Sequence, residues 1–213
     1  MFAGNTSTLI QRVSRLKSAG YRCLVVTHSI DTRYNNNLCN LHNDHRGTTS
    51  PSGWLSSHRC GLRYPVDAVI STLWDLHQEE SPSSNSNNSN YDNGTFNKNE
   101  TQKETKLLDW RNYSVIAIGE GQFFPDLYSF CSTVVAAGKH AFVASLDGDC
   151  HQQLFGEVHR LLPLCESVQK LPALCMQCRI HEAFFTQRRI EMPQQIVVGG
   201  VELYEAVCRF CIG

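Results

Sequence analysis

Four thiols in two matched pairs, Cys175-x-x-Cys178 and Cys208-x-x-Cys211, form one set of residues whose type and spacing imply chemistry. Each pair can close a tight knuckle, and two knuckles supply the four thiolates of a tetrahedral structural zinc. The 29 residues between them, Arg179 to Val207, exceed a minimal zinc ribbon but can fold as a long loop clamped at both ends. Redox pairs and buried free thiols are the competing readings of this spacing. The second set is a single carboxylate. Tyr113 to Ile118 is a short apolar run rich in β-branched residues, and at Gly119-Glu120-Gly121 it turns small and acidic. Open α/β sheets keep their chemistry at such strand ends. Glu120 is therefore a candidate catalytic residue, or else a surface carboxylate in a strand-to-helix turn.

The elements that must position these groups alternate in type. Leu9, Ile10, Val13 and Leu16 share one face of a predicted helix that ends at Gly20. Arg22 to His28 reads as a buried strand, followed by the loop Asp31-Thr-Arg-Tyr34. Pro65 to Leu76 fits one amphipathic helix or a strand followed by a helix. After Glu120, Pro125 suits a first helical position, Leu127, Phe130, Val134 and Val135 form a buried stripe, and Gly138 is a natural stop. A strand from His140 to Leu146 then leads to Asp147-Gly148. The stretch from Glu79 to Lys106 holds Ser, Asn, Glu and Lys with only Tyr91 and Phe96 to bury, so a disordered surface insertion over about 80–106 is expected.

Composition excludes several classes. The chain has 213 residues, 41% hydrophobic, enough for one ordinary core with a small appendage. A net charge of −1 leaves no electrostatic footprint for nucleic acid or anionic lipid, and no apolar run is long enough to span a bilayer. Nothing at the N-terminus resembles a secretory signal, which points to a cytoplasmic protein and makes the Asn-x-Ser/Thr sequons coincidental. Ten cysteines then suggest metal ligation before disulfides, the six outside the two pairs being small core residues. His42, His45 and His58 cluster in sequence, but polar loops collect such residues without binding metal.

Several segments, in order along nearly the whole chain, resemble the cellular, zinc-containing type of thymidine kinase: Ile30-Asp-Thr-Arg-Tyr34, Gly119-Glu-Gly-Gln-Phe-Phe124, Val143-Ala-Ser-Leu-Asp-Gly148, Phe155-Gly-Glu157, Leu161-Leu-Pro-Leu-Cys-Glu-Ser-Val168, Leu174-Cys-Met-Gln-Cys178 and Val198-Gly-Gly-Val-Glu-Leu-Tyr204. The resemblance implies a P-loop NTPase-like, mostly parallel sheet flanked by helices over residues 1–165 and a zinc-binding lasso over 166–213. It implies ATP-dependent 5′-phosphorylation of thymidine with Glu120 as base, and ATP and Mg²⁺ at Gly4, Asn5, Thr6 and Ser7. The nucleoside would be lined by Phe123, Leu146 and Phe155 and covered by Val198, Gly199 and Tyr204. Zinc at Cys175, Cys178, Cys208 and Cys211, and a homo-oligomer, a tetramer in the family, complete the expectation.

The departures are electrostatic. A working phosphate loop needs Lys where this chain has Asn5, and its first glycine would lie before Met1. The strand that leads into such a loop is missing too, as in a shortened start or in a member that has lost nucleotide binding. Gly119 stands at the family's acidic Mg²⁺ partner. Arg59 in Ser56-Ser-His-Arg59 replaces a sugar-binding Asp, with His42-Asn-Asp44 a weaker match. Gln152 and Gln153 replace an Arg-Lys pair, and Cys150 an aromatic. One lost contact of this kind costs about 3–4 kcal/mol of transition-state stabilisation. Two readings stand: a kinase using Glu120, or a non-catalytic subunit that assembles with an active copy.

Overall fold

The protein was analysed as a computed structural model, which describes residues 1–31, 53–56, 62–76 and 108–213. Tyr34, His42, Asp44, His45, His58, Arg59 and the insertion expected over 80–106 lie outside the described residues.

The chain runs from α1 (Asn5–Ser18) through β1 (Cys23–His28), β2 (Gly53–Ser56), β3 (Arg63–Val66) and β4 (Ala68–Ile70) to β5 (Val115–Gly119), α2 (Leu127–Ala136), β6 (His140–Val143) and α3 (Val158–Leu161). Four of these strands make one parallel sheet in the order β4-β1-β5-β6. Every residue of β1 and β5 is buried, which explains why both read as continuous apolar runs and not as alternating ones. The strand period of two still sorts their side chains. Leu24, Val26, Ile116 and Ile118 face one side, where they meet Phe124, Leu127, Phe130 and Val134 at the α2 end of the core. Cys23, Val25, Val115 and Ala117 face the other, against Leu9, Ile10 and Val13 of α1. The architecture is α/β, a parallel sheet flanked by helices.

Helix ends follow from local chemistry. Gly4, at φ +90°, caps the start of α1 without a side-chain bond, and Gly20, at φ +88°, lets the chain leave its far end. The first turn of α2 is met by a carboxylate, since Tyr128 N–H donates to Glu157 Oε2 at 2.9 Å. Gly138 closes that helix at φ +71°, with Lys139 N–H bonded to the Val134 carbonyl at 3.2 Å.

Five sequence expectations need correction. Not all cysteines outside the two pairs are core residues: Cys23 and Cys131 are buried, but Cys150 is half-buried and Cys165 exposed. Pro65–Leu76 is neither one helix nor a single strand and helix: β3 and β4 occupy 63–70 and a 3₁₀ turn follows at Leu73–Leu76. Pro125 precedes α2, and Asp126 takes the cap position without a side-chain bond to the helix, its carboxylate accepting the Trp74 N–H at 3.0 Å. Val135 is exposed, since the buried stripe runs through Leu127, Phe130, Cys131 and Val134. The strand from His140 stops at Val143, because Ala144 carries the last contact to β5 and the chain then turns toward the N-terminal segment.

Beyond α3 the elements are small: β7 (Ala173–Leu174) pairs antiparallel with β8 (Glu182–Ala183), and β9 (Phe185–Arg188) with β10 (Tyr204–Val207). They enclose a separate core of Ala173, Cys175, Ala183, Ala206, Val207 and Cys208, against which Phe2 and Ala3 pack. Among the described residues no helix is long and apolar enough to cross a membrane.

Candidate functional site

At the C-terminal end of β5, Glu120 sits in the left-handed region, φ 55° and ψ 41°. A non-glycine residue there is uncommon, and such backbone is found where surrounding structure over-determines it. Its neighbours supply the restraint: Gly121 N–H donates to the Ala144 carbonyl at 3.0 Å, and Phe123 N–H to the Glu120 carbonyl at 3.1 Å. The carboxylate accepts from Gln122 Nε2 at 2.7 Å.

Glu120 opens into a cavity that gathers most of the candidates read from the sequence. Gly4, Asn5 and Thr6 line it from the start of α1, Phe123 from the turn after β5, Leu146 from the chain after β6, and Phe155 from before α3. Val198, Gly199 and Tyr204 line the opposite wall. Ser7 is not among the lining residues. The aromatic pair meets edge to face, Phe123 and Phe155 having centroids 5.6 Å apart at 87°. Behind Phe123 lies His28, whose Nδ1 accepts the Ile30 N–H at 3.0 Å. Burial holds its pKa below the ordinary histidine value, against a bond to Ser71 and the pull of Asp126 that favour the charged form. His28 therefore packs as a neutral ring.

The wall formed by residues 192–204 is tied down at several points. Arg188 donates to the carbonyls of Met192 and Gln194, both at 2.9 Å, and of Gln195 at 3.0 Å. Tyr204 Oη donates to the Val197 carbonyl at 2.6 Å. Gln195 Nε2 then crosses to Asp149 Oδ2 at 2.8 Å and to the Leu154 carbonyl at 3.3 Å. Asp149, only 7% exposed, also accepts the His151 and Gln153 N–H groups. Burial opposes its ionisation, but these donors and the charge of His151 outweigh it and hold the carboxyl below the ordinary aspartate value. Gln122, Asp149, Thr186, Arg188 and Gln195 thus belong to the cavity although the sequence reading did not select them. Thr186 accepts from the Met1 amino group at 2.8 Å.

The two electrostatic departures are built into the packing. Asn5 Nδ2 donates to the Ser145 carbonyl at 2.9 Å, so this side chain is engaged with the loop after β6. A Cβ at Gly119 would lie 2.5 Å from Leu55 Cδ2, and Leu55 is buried. Cys150 lines the cavity, and Gln153 is taken up in the Asp149 turn.

The sulfurs of Cys175, Cys178, Cys208 and Cys211 lie within 4.8 Å of one another. Zn–S bonds of about 2.3 Å in tetrahedral geometry require sulfurs about 3.8 Å apart, and Cys178 and Cys208 sulfurs are 3.9 Å apart. Each pair closes its own turn, with Arg179 N–H on the Cys175 carbonyl and Cys211 N–H on that of Cys208. The titrations pull apart: N–H donors, that of His181 first, hold Cys178 down at about 5, while bonding to Cys208 pushes Cys211 up to about 12. Four thiols this close cannot all ionise without a cation among them. The donor set fits zinc.

Against known proteins, the sequence profile of the family described as Thymidine kinase matches residues 1–56 and 69–212. The chain is 34% identical over 211 residues to a cytosolic thymidine kinase of Homo sapiens, covering 99% of this chain and 69% of that protein. A cytosolic thymidine kinase of Gallus gallus is 33% identical over 99% of this chain and 72% of its own length. A thymidine kinase of raccoon poxvirus is 31% identical, covering 99% of this chain and 91% of its own.

Proposed function

Because this chain belongs to the thymidine kinase family, we propose that its cavity holds thymidine, with the 5′-hydroxyl toward Glu120 and the base against Phe123, Leu146 and Phe155 under Val198, Gly199 and Tyr204. One observation carries this reading: a single cavity joins a carboxylate at a strand end, an edge-to-face aromatic pair and the start of a helix. Glu120 takes the hydroxyl proton. The family's donor is ATP with Mg²⁺. Gly4, Asn5 and Thr6 would face its phosphates in a P-loop-like fold, with Ser7 set back from the cavity, and Thr6 supplies the hydroxyl that suits Mg²⁺.

Phosphoryl transfer at this site is weak or absent. Catalysis of this reaction rests on positioning and on neutralising phosphate charge, and the amide of Asn5 supplies no charge. Gly119 adds none, and Leu55 fills the space an acidic side chain there would need. These two observations favour the second reading, a non-catalytic subunit of a homo-oligomer or of an assembly with an active copy. Cys175, Cys178, Cys208 and Cys211 would hold a structural zinc that ties down the lasso of residues 166–213 beside the kinase-like part at 1–165. The cytosolic relatives support a cytoplasmic setting.

Radiolabelled thymidine with ATP and Mg²⁺, with Glu120→Gln as control, separates the two readings, and calorimetry with thymidine alone tests the pocket. We expect binding with turnover near background. Robust turnover abolished by Glu120→Gln would make the chain a working kinase, and failure to bind thymidine would refute the pocket itself.

A further inference from the structure

We infer that Gln122 is the positioning residue for the Glu120 carboxylate and couples it to the loop after β6. This rests on the reading of Glu120 as the base. Gln122 is 3% exposed, and both ends of its amide are bonded. Its Oε1 accepts the Leu146 N–H at 3.0 Å, and its Nε2 donates to Glu120 Oε2 at 2.7 Å. A backbone N–H can only donate, so Leu146 decides which end of the amide is oxygen. The NH₂ end must then face Glu120, where it donates to Oε2 and fixes the orientation of the carboxylate.

The backbone leaves this amide little freedom. Gly156 sits at φ +59°, and a Cβ there would overlap the Gln122 carbonyl oxygen, so only glycine lets the Phe155–Gly156 turn lie against residue 122. From the other side, the Ala144 carbonyl holds Gly121 N–H at 3.0 Å. The same loop accepts Asn5 Nδ2 at Ser145 and presents Leu146 to the cavity. Whatever ligand shifts Leu146 is therefore felt at Glu120 through one amide. Gln122 orients the base and does not itself touch the reacting hydroxyl.

The test uses the full chain with its zinc and compares wild type, Gln122→Met, Gln122→Glu and Glu120→Gln. Infrared difference spectra identify the Glu120 carboxylate band as the one lost in Glu120→Gln. The expected result is that this band shifts in both Gln122 variants, since Gln122→Met cannot donate and in Gln122→Glu two carboxyl groups in contact at a buried site share one proton, which replaces the amide donor by an acid one. Where turnover is measurable, kcat falls about 10- to 100-fold, as for a misplaced catalytic group, while KM for thymidine stays within about twofold, the split expected of an interaction used in the transition state. Gln122→Glu keeps an oxygen for the Leu146 N–H and carries the test if Gln122→Met fails to fold. An unmoved Glu120 band in folded variants overturns the proposal, as does unchanged kcat where Glu120→Gln abolishes turnover. If Glu120→Gln leaves turnover intact, the base reading falls and the band shift alone decides the coupling.

Discussion

At Gly119 a single missing carboxylate is two changes in space. The Cβ of any replacement would lie 2.5 Å from Leu55 Cδ2 in a filled core, so Gly119→Asp should destabilise the fold by about 1–3 kcal/mol, the usual cost of overpacking. Denaturant unfolding checks this, and adding Leu55→Ala should recover part of the midpoint; an unchanged midpoint for the single variant would show that Leu55 moves aside freely. His28 gives a second residue-scale expectation. Its folded pKa is depressed mainly by burial, so the unfolded chain binds the proton more readily. Its contribution is whole above about pH 6.5, the unfolded value, and is lost as pH falls from there through the folded value. Melting temperature should drop on acidification, and His28→Phe should flatten the drop relative to wild type. Glu120 was legible in the sequence because a buried strand ending in a small, acidic turn leaves a local pattern. Gln122, Asp149 and Thr186 were not, since each acquires its role from a partner far along the chain: Leu146, Gln195 and Met1.

Strands buried on both faces and helices with one apolar stripe were readable as elements. β1, β5, α1 and α2 therefore stand close to where the sequence puts them. The region from Pro65 to Leu76 was not, because strands of four and three residues and a 3₁₀ turn are too short to carry a period. The segment over the cavity was legible only by resemblance. Its order comes from Arg188 gathering three carbonyls, from Tyr204 Oη on the Val197 carbonyl, and from the bridge that Gln195 makes to Asp149 and the Leu154 carbonyl. That bridge should act as a latch. Gln195→Ala removes a bond to a charged, buried acceptor, worth about 1.5–3 kcal/mol, and should speed thymidine dissociation at least about tenfold and lower the melting temperature by several degrees. Stopped-flow displacement of a fluorescent thymidine analogue reads the rate, and an unchanged dissociation rate would mean that the bonds of Arg188 and Tyr204 hold the wall without Gln195. The low pKa of Asp149 adds a sign: the latch persists above the ordinary aspartate range and weakens only as pH falls through the depressed value.

Among the described residues, two large cores flank the sheet, and a third, much smaller one lies around the cysteines. The fully buried part of the third is alanines, one valine and two of the thiols, between strands of two to four residues, with Phe2, Met176, Phe185 and Ile212 only partly buried against it. So little apolar surface cannot offset the entropy of ordering a long loop, which is why small units of this kind depend on metal. Phe2 and Ala3 pack on this same core just ahead of α1, while β9 and β10 carry Thr186, Arg188 and Tyr204 into the cavity. Metal loss should therefore reach the ligand site without dissolving the sheet. Protein purified without chelator should hold one zinc per chain. Cys175→Ser should abolish it, since Cys175 is fully buried and its sulfur also accepts the Cys208 N–H at 3.3 Å. In that variant, hydrogen exchange should accelerate over 173–213 while β1 and β5 stay protected, because their side chains belong to the other two cores. Thymidine affinity should fall by at least about tenfold, a loss near 1.4 kcal/mol, as the wall bearing Tyr204 loosens. Less than half an equivalent of zinc in wild type, or unchanged exchange at 173–213 in Cys175→Ser, would show that the small core stands without metal and that its thiols serve another purpose.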